Sequence, residues 1–134
     1  MSETQRPEPR WLSPILIRAI HADQVRQHGG ALGLRDENLL DSPIARARSR
    51  WHYETDAELA DLAAAYGIGL VRNHPFVDGN KRVAFQAMYV FLGLNGWRIA
   101  AEEPDVVDLM LAAASGTLDE SQLADWLRAH VEPR

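Results

Sequence analysis

The 134 residues of the chain are 46% hydrophobic and 25% charged, a composition typical of a single soluble globular domain. The net charge of −5 argues against a general nucleic-acid binder, which needs a basic face to bind phosphates. The lack of cysteine excludes disulfides and thiolate metal sites. No segment has the pattern of a membrane span or a secretory signal, so we expect a cytoplasmic protein.

The N-terminal part of the chain predicts an arm followed by a helix. Residues 1–10 are polar with two prolines, which predicts a flexible arm ahead of a domain covering residues 11–134. Ser13 and Pro14 predict the N-cap and the first residue of a helix that ends at Gly29.

The second predicted helix begins after Asp36 and contains Pro43, which should bend the helix or divide it in two. Three arginines follow near its end: Arg46, Arg48 and Arg50. We interpret this basic cluster as a solvated helix end in preference to an interaction surface.

Two strongly apolar helices come next, joined by a short loop. Thr55 and Glu58 have the spacing of a capping box that opens the first of them. His74 ends that helix because a residue before proline is displaced from the α region. The second helix starts after Gly79 and stops at Asn95.

The rest of the chain predicts an extended piece near Trp97, a helix up to Ala114, and a last helix opened by a capping box at Thr117 and Glu120. There is no internal repeat. The whole pattern predicts an all-α fold of about six helices with room for a small β-hairpin.

The loop between the two apolar helices, with the sequence HPFVDGNKR over residues 74–82, is denser in chemically capable groups than any other part of the chain. Gly79 lets the backbone approach a ligand closely, and the first amides of the following helix carry a partial positive charge. Asn80 adds an amide donor, and Lys81 and Arg82 add two cations. The loop therefore predicts an anion site suited to phosphate.

Two further side chains complete the parts needed for phosphoryl or nucleotidyl transfer. Asp78 lies among cations that favour its ionised form, and it can hold Mg²⁺ together with phosphate oxygens. His74 can take the proton of an attacking hydroxyl. Each has an ordinary alternative, since Asp78 can be a helix N-cap, His74 can bond a helix end, and Phe76 can simply anchor the loop in the core. Only the combination favours catalysis.

Other histidines give weaker signals. His21 and His28 lie on one side of the first predicted helix but about two turns apart, too far for a shared metal. No second histidine completes a zinc motif with His74, and the chain has neither a Gly-x-Ser-x-Gly elbow nor a P-loop.

The loop resembles the signature of the Fic/Doc family, His-x-Phe-x-(Asp/Glu)-(Gly/Ala)-Asn-(Gly/Lys)-Arg, at every fixed position. The segments GGALGLRDENLLDS, AAAYGIGLVRN and VFLGLNGW are similar to the death-on-curing (Doc) branch, and the resemblance covers about residues 12–130. It implies an all-helical Fic fold of about six helices around a central motif-bearing helix. It also implies a β-hairpin flap that aligns the target segment, which we expect at residues 49–56.

The resemblance assigns roles to the motif residues. His74 is implied to be the general base for a hydroxyl of a target protein, and Asp78 the ligand of Mg²⁺. The implied contacts to nucleotide phosphates come from Gly79, Asn80, Lys81 and Arg82, with Lys81 and Arg82 also acting in catalysis.

Lys81 bears on the type of reaction. Fic proteins that transfer AMP usually have glycine at this position, whereas Doc-like toxins have lysine and transfer the γ-phosphoryl group of ATP to a threonine of elongation factor Tu. The leading interpretation is therefore an ATP- and Mg²⁺-dependent toxin kinase that stops translation. Gly79, where the best-known Doc pattern has alanine, keeps AMP transfer as the alternative. A catalytically inactive binding or regulatory module is the third.

The resemblance also bears on partners. We find no Ser/Thr-x-x-x-Glu-(Gly/Asn) inhibitory motif of the kind that blocks many Fic proteins in cis. Restraint is then expected from a separate Phd-like antitoxin, as in type II toxin–antitoxin pairs, whose C-terminal segment folds into a groove on the domain. No direct contact with nucleic acid or membrane is expected.

Overall fold

The computed structural model describes residues 6–134, and within that range it contains six α-helices and one two-stranded antiparallel sheet. The helices are α1 (Pro14–His28), α2 (Glu37–Tyr53), α3 (Leu59–Asn73), α4 (Asn80–Leu94), α5 (Glu103–Ser115) and α6 (Glu120–His130), and the strands are β1 (Trp97–Ile99) and β2 (Val131–Pro133). The predicted all-α fold with a small sheet is confirmed. In the part of the chain that is described, no helix has the length and apolarity needed to cross a bilayer.

Helix α3 is the centre of the core and packs against α2, α4, α5 and α6. Small residues on α3 let its neighbours approach closely. A Cβ atom at Gly67 would collide with the sulfur of Met88 on α4, and one at Gly69 would lie 2.7 Å from the ring of Pro43 on α2. The motif loop therefore leaves one end of a helix that is held by packing on several sides.

Helix α2 is continuous through Pro43, so the predicted division of the helix is wrong, whereas the predicted bend stays a prediction. Proline has no N–H to donate to the carbonyl of Leu39 four residues earlier. The side-chain amide of Asn73 donates to that carbonyl instead, at 3.1 Å. A contact from the end of α3 thus replaces the helix bond that α2 lacks.

A capping box opens each of α3 and α6, but neither is the predicted one, because each lies further along the chain. Glu58 is the N-cap of α3, three residues after the predicted Thr55. Asp119 is the N-cap of α6, two residues after the predicted Thr117. Thr117 instead belongs to the turn that ends α5, where its N–H donates to the carbonyl of Ala112 at 3.1 Å.

The predicted N-terminal arm is only partly within the described residues, since residues 1–5 lie outside them. The guanidinium of Arg6 donates to the carbonyl of Trp51 at 2.7 Å. The backbone N–H of Arg10 donates to the side chain of Asn95 at 2.9 Å. Residues 6–10 therefore contact the domain.

The small sheet does not form the predicted flap. Strand β1 pairs with β2, with Trp97 opposite Pro133. Residues 49–53 are the last turns of α2, so a hairpin at residues 49–56 is wrong. Arg50 helps to hold this end helical, because it pairs with Glu120 of α6 at 2.8 Å and with Glu54 at 2.8 Å.

The arginine cluster of α2 is used within the molecule. Arg46 and Arg50 both pair with Glu120, at 3.0 and 2.8 Å. The Arg48 guanidinium lies 5.4 Å from the ring centroid of Trp11. Arg46 and Arg48 are exposed, as the interpretation as a solvated helix end requires, but the cluster also joins α2 to α6 and to the N-terminal segment.

Candidate active site

The motif loop leaves α3 through a strained residue. His74 is the C-cap of α3 and has a left-handed backbone, with φ 50° and ψ 60°. Its N–H donates to the carbonyl of Leu70 at 3.3 Å, and its carbonyl accepts from the guanidinium of Arg35 at 2.6 Å. The His74 side chain is exposed, and within residues 6–134 no hydrogen bond engages its ring. It is free to contact a substrate.

Asn80 closes the loop onto itself. Its side-chain nitrogen donates to the carbonyl of Phe76 at 2.9 Å, and its side-chain oxygen accepts from the N–H of Phe76 at 3.0 Å. Phe76 itself is 2% exposed and anchors this clasp in the core. The amide therefore fixes the shape of the loop and keeps one hydrogen for a ligand. The predicted contact of Asn80 with phosphate stays a prediction.

The first turn of α4 is positively charged and open. Gly79 is its N-cap, with φ 76°, and no side chain caps the helix or places an acid in the first turn. Lys81 and Arg82 are exposed, and no carboxylate pairs with either of them among residues 6–134. Unpaired amides and cations together favour an anion here.

Asp78 is placed to hold a cation beside that anion site. One of its carboxylate oxygens accepts from the N–H of Gly79 at 2.9 Å, and the other faces the N–H of Ala31 at 3.4 Å. Across the described residues there is no group of three or more His, Cys, Asp or Glu side chains that could hold a metal. A single carboxylate suits Mg²⁺, which completes its shell with phosphate oxygens and water.

An extended segment that the sequence pattern did not identify lies along the loop. The N–H of Arg35 donates to the carbonyl of Pro75 at 2.7 Å, and the N–H of Val77 donates to that of Gly33 at 3.0 Å. Gly30 has φ 109°, and a Cβ there would lie 2.8 Å from the Asp78 carboxylate. Residues 29–36 therefore pair with the motif loop through extended backbone, whereas residues 49–53 are helical.

His21 of α1 also belongs to the site, which the sequence pattern did not reveal. The side chain is 3% exposed, its Nε2 bonds the carbonyl of Asp78 at 2.7 Å, and its ring stacks on Phe76 with centroids 3.9 Å apart. The available signal was its position on the buried face of α1, between Ile17 and Gln24.

A cavity of about 630 Å³ opens beside the first turn of α4. One side is formed by motif residues 78–82, and Gln24 and His28 line it from α1. The rest of the lining is largely apolar and includes Phe85, Ile99, Val106, Met110 and Leu111. His74 is outside this lining. A polar end joined to an apolar wall, in a volume of this size, suits a nucleotide.

Comparison with known proteins agrees with the motif. The Fic/DOC family profile matches residues 11–92. The chain is 34% identical to Protein kinase doc of Escherichia phage P1 over 119 residues, which is 89% of this chain and 94% of that protein. It is 43% identical to Toxin Doc of Mycolicibacterium smegmatis over 100 residues, 72% of this chain and 76% of that protein. The chain belongs to the Fic/Doc family.

Proposed function

We propose that this protein is a Doc-type toxin that transfers the γ-phosphoryl group of ATP to a hydroxyl of a protein, with a threonine of elongation factor Tu as the first candidate. The observation that carries this proposal is Lys81, an exposed cation with no carboxylate partner among residues 6–134, which lies in the first turn of α4 beside a cavity of nucleotide size. It is the only lysine in the sequence, since the other cationic residues are all arginine. Similarity to a protein named as a kinase supports the same reaction.

The open amides of α4 would bind the ATP phosphates, with Lys81 and Arg82 balancing their charge. Asp78 would hold Mg²⁺ against the phosphate oxygens, and the ion, when bound, neutralises charge on the transferring group. The second amide hydrogen of Asn80 would reach the same phosphates.

His74 would act on the protein substrate. The substrate hydroxyl oxygen forms a bond to the γ-phosphorus while the bond from that phosphorus to the bridging oxygen of ADP breaks. The hydroxyl proton passes to the His74 imidazole, and ADP leaves. An exposed side chain on a backbone held by Arg35 suits a base that must meet an incoming protein.

AMP transfer is the second candidate, using the same base and carboxylate. Gly79 keeps this candidate open, because the best-known Doc pattern has alanine at this position and glycine is Fic-like. A purely binding role is less well supported, since a binding module has no need of His74, Asp78, Asn80 and Arg82 together.

The proposed partner is a Phd-like antitoxin whose C-terminal segment folds into a groove on the domain, in the cytoplasm. Val107 and Leu111 on α5 are 50% and 51% exposed at the apolar wall of the cavity. An amphipathic helix that covers them would close access to the motif.

Intact-protein mass spectrometry of elongation factor Tu after incubation with this protein, ATP and Mg²⁺ tests the proposal. We expect a gain of one phosphate, and none with His74→Ala, which should fold normally because the replaced ring has no hydrogen bond within residues 6–134. A gain of one AMP would establish the second candidate. A folded His74→Ala variant with full transfer would contradict the role of the base, and no gain at all would exclude elongation factor Tu as the target.

A further inference from the structure

We propose that His21 is a positioning residue that sets the Asp78–Gly79 peptide and thereby the site for Mg²⁺ and nucleotide. The inference rests on the proposed function. His21 lies on α1, more than fifty residues before the motif in sequence. It is one of two polar side chains buried in the core of the described residues, the other being Gln24.

The hydrogen bond of His21 controls one peptide unit. Its Nε2–H donates to the carbonyl of Asp78 at 2.7 Å. In a trans peptide the carbonyl and the following N–H lie in one plane and point in opposite directions. The N–H on the other end of this unit belongs to Gly79, and it donates to the Asp78 carboxylate at 2.9 Å. By fixing the Asp78 carbonyl, His21 therefore also fixes the direction in which the Gly79 N–H points toward the Asp78 carboxylate.

The ring of His21 controls the start of the same turn. It stacks on Phe76 with 8° between the planes and 3.9 Å between the centroids. Phe76 is in turn clasped through its backbone by Asn80. The buried imidazole of His21 thus contacts both Phe76 and Asp78. Through Phe76 it connects α1 to Asn80, the first residue of α4.

Two substitutions separate the two contacts. His21→Phe keeps a flat ring for stacking and removes the donor to Asp78. His21→Gln keeps a donor at a similar reach and removes the ring. If the hydrogen bond sets the carboxylate, we expect His21→Phe to weaken binding of Mg²⁺·ATP by about tenfold or more, which is the scale seen when a group that orients a metal ligand is lost. His21→Gln should bind within a few-fold of the wild-type protein.

The measurement is calorimetric titration of each variant with ATP at several Mg²⁺ concentrations, with the melting temperature recorded alongside. His130→Phe is the matched control, because the His130 ring also bonds a carbonyl, that of Trp126 at 2.7 Å, and also stacks on an aromatic ring. We expect this control to keep the wild-type affinity. A higher Mg²⁺ requirement in His21→Phe but not in His21→Gln or His130→Phe would support positioning, since His21→Gln also loses the buried ring and therefore controls for general destabilisation.

A measurement on the unmodified protein avoids dependence on folding of the variants. Scalar coupling across the hydrogen bond, from His21 Nε2 to the Asp78 carbonyl carbon, should be present and should persist when Mg²⁺·ATP is added. Loss of the coupling on binding would overturn the proposal, as would equal affinities of wild type and His21→Phe. Failure of the wild-type protein to bind Mg²⁺·ATP would overturn the proposed function itself.

Discussion

At the scale of single residues, the motif composition predicted which side chains could act, but it did not predict how they are held. The donor of Asn80 can serve a phosphate or the backbone equally well, and spacing alone does not choose between them. In the structure its side chain clasps Phe76. The sequence around His21 bears only on metal binding, because nothing local in it indicates a partner 57 residues away.

Lys81 gives a direct test of the anion site, because amine-reactive reagents can modify no other side chain in this protein. We expect acetylation, which removes its charge, to abolish Mg²⁺·ATP binding, and ATP to protect Lys81 from the reagent. Peptide mass spectrometry with and without ATP measures the protection. Modification at an unchanged rate in saturating ATP would mean that the nucleotide binds elsewhere.

At the scale of elements, the apolar stripes in the sequence predicted which segments are helical. The positions of the helix ends and the continuity of α2 through Pro43 depend on tertiary contacts. Thr55 and Thr117 match a capping box as well as the true caps do, so the pattern could not locate the start. A proline breaks a helix when the carbonyl four residues earlier is left without a donor. Here the side-chain amide of Asn73 donates to that carbonyl, and Gly69 has no side chain that would collide with the Pro43 ring.

The packing of Pro43 on α3 is therefore expected to be intolerant of one added methyl group. Gly69→Ala should lower the free energy of unfolding by about 1–3 kcal/mol despite the better helix propensity of alanine, because the new Cβ would lie 2.7 Å from the proline ring. Gly93→Ala in α4 is the matched control, since its nearest neighbour is the guanidinium of Arg134 at 3.3 Å, which donates to the Gly93 carbonyl and needs to shift by only a few tenths of an ångström. We expect that change to alter stability by less than about 1 kcal/mol. Urea denaturation measures both, and equal effects would contradict the packing argument.

At the scale of the whole molecule, the all-α class and the position of the motif between two core helices were predictable, but the assembly of the site was not. The site joins α1, residues 29–36, the motif loop and α5, which are brought together by packing around α3. Long-range pairings such as Gly33 with Val77 leave no mark in local periodicity. The flap was placed wrongly for the same reason.

The pH dependence of unfolding should report the burial of Tyr66 in this core. Tyr66 of α3 is fully buried, and its hydroxyl accepts from the N–H of Leu12 at 3.1 Å. Burial raises the pKa of Tyr66 to about 12. Because the folded pKa exceeds that of the unfolded chain, about 10, this contribution is complete below pH 10 and is lost as the pH rises from about 10 to 12.

We therefore expect the urea midpoint of the wild-type protein to fall faster above pH 10 than that of Tyr66→Phe, which lacks the ionisable group. Below pH 10 the difference between the two midpoints should not change with pH. Parallel curves over the whole range would show that Tyr66 ionises with equal ease in the folded and unfolded chains.

The left-handed backbone of His74 has a consequence for which substitutions inactivate the protein without destabilising it. A residue with a side chain at a φ of 50° destabilises the folded state by about 1 kcal/mol or more relative to glycine. A change of His74 to glycine would remove the proposed base and relieve the strain at once. Cells that survive expression of a library randomised at codon 74 should then include the glycine variant, which we expect to be inactive and to melt at a higher temperature than the parent.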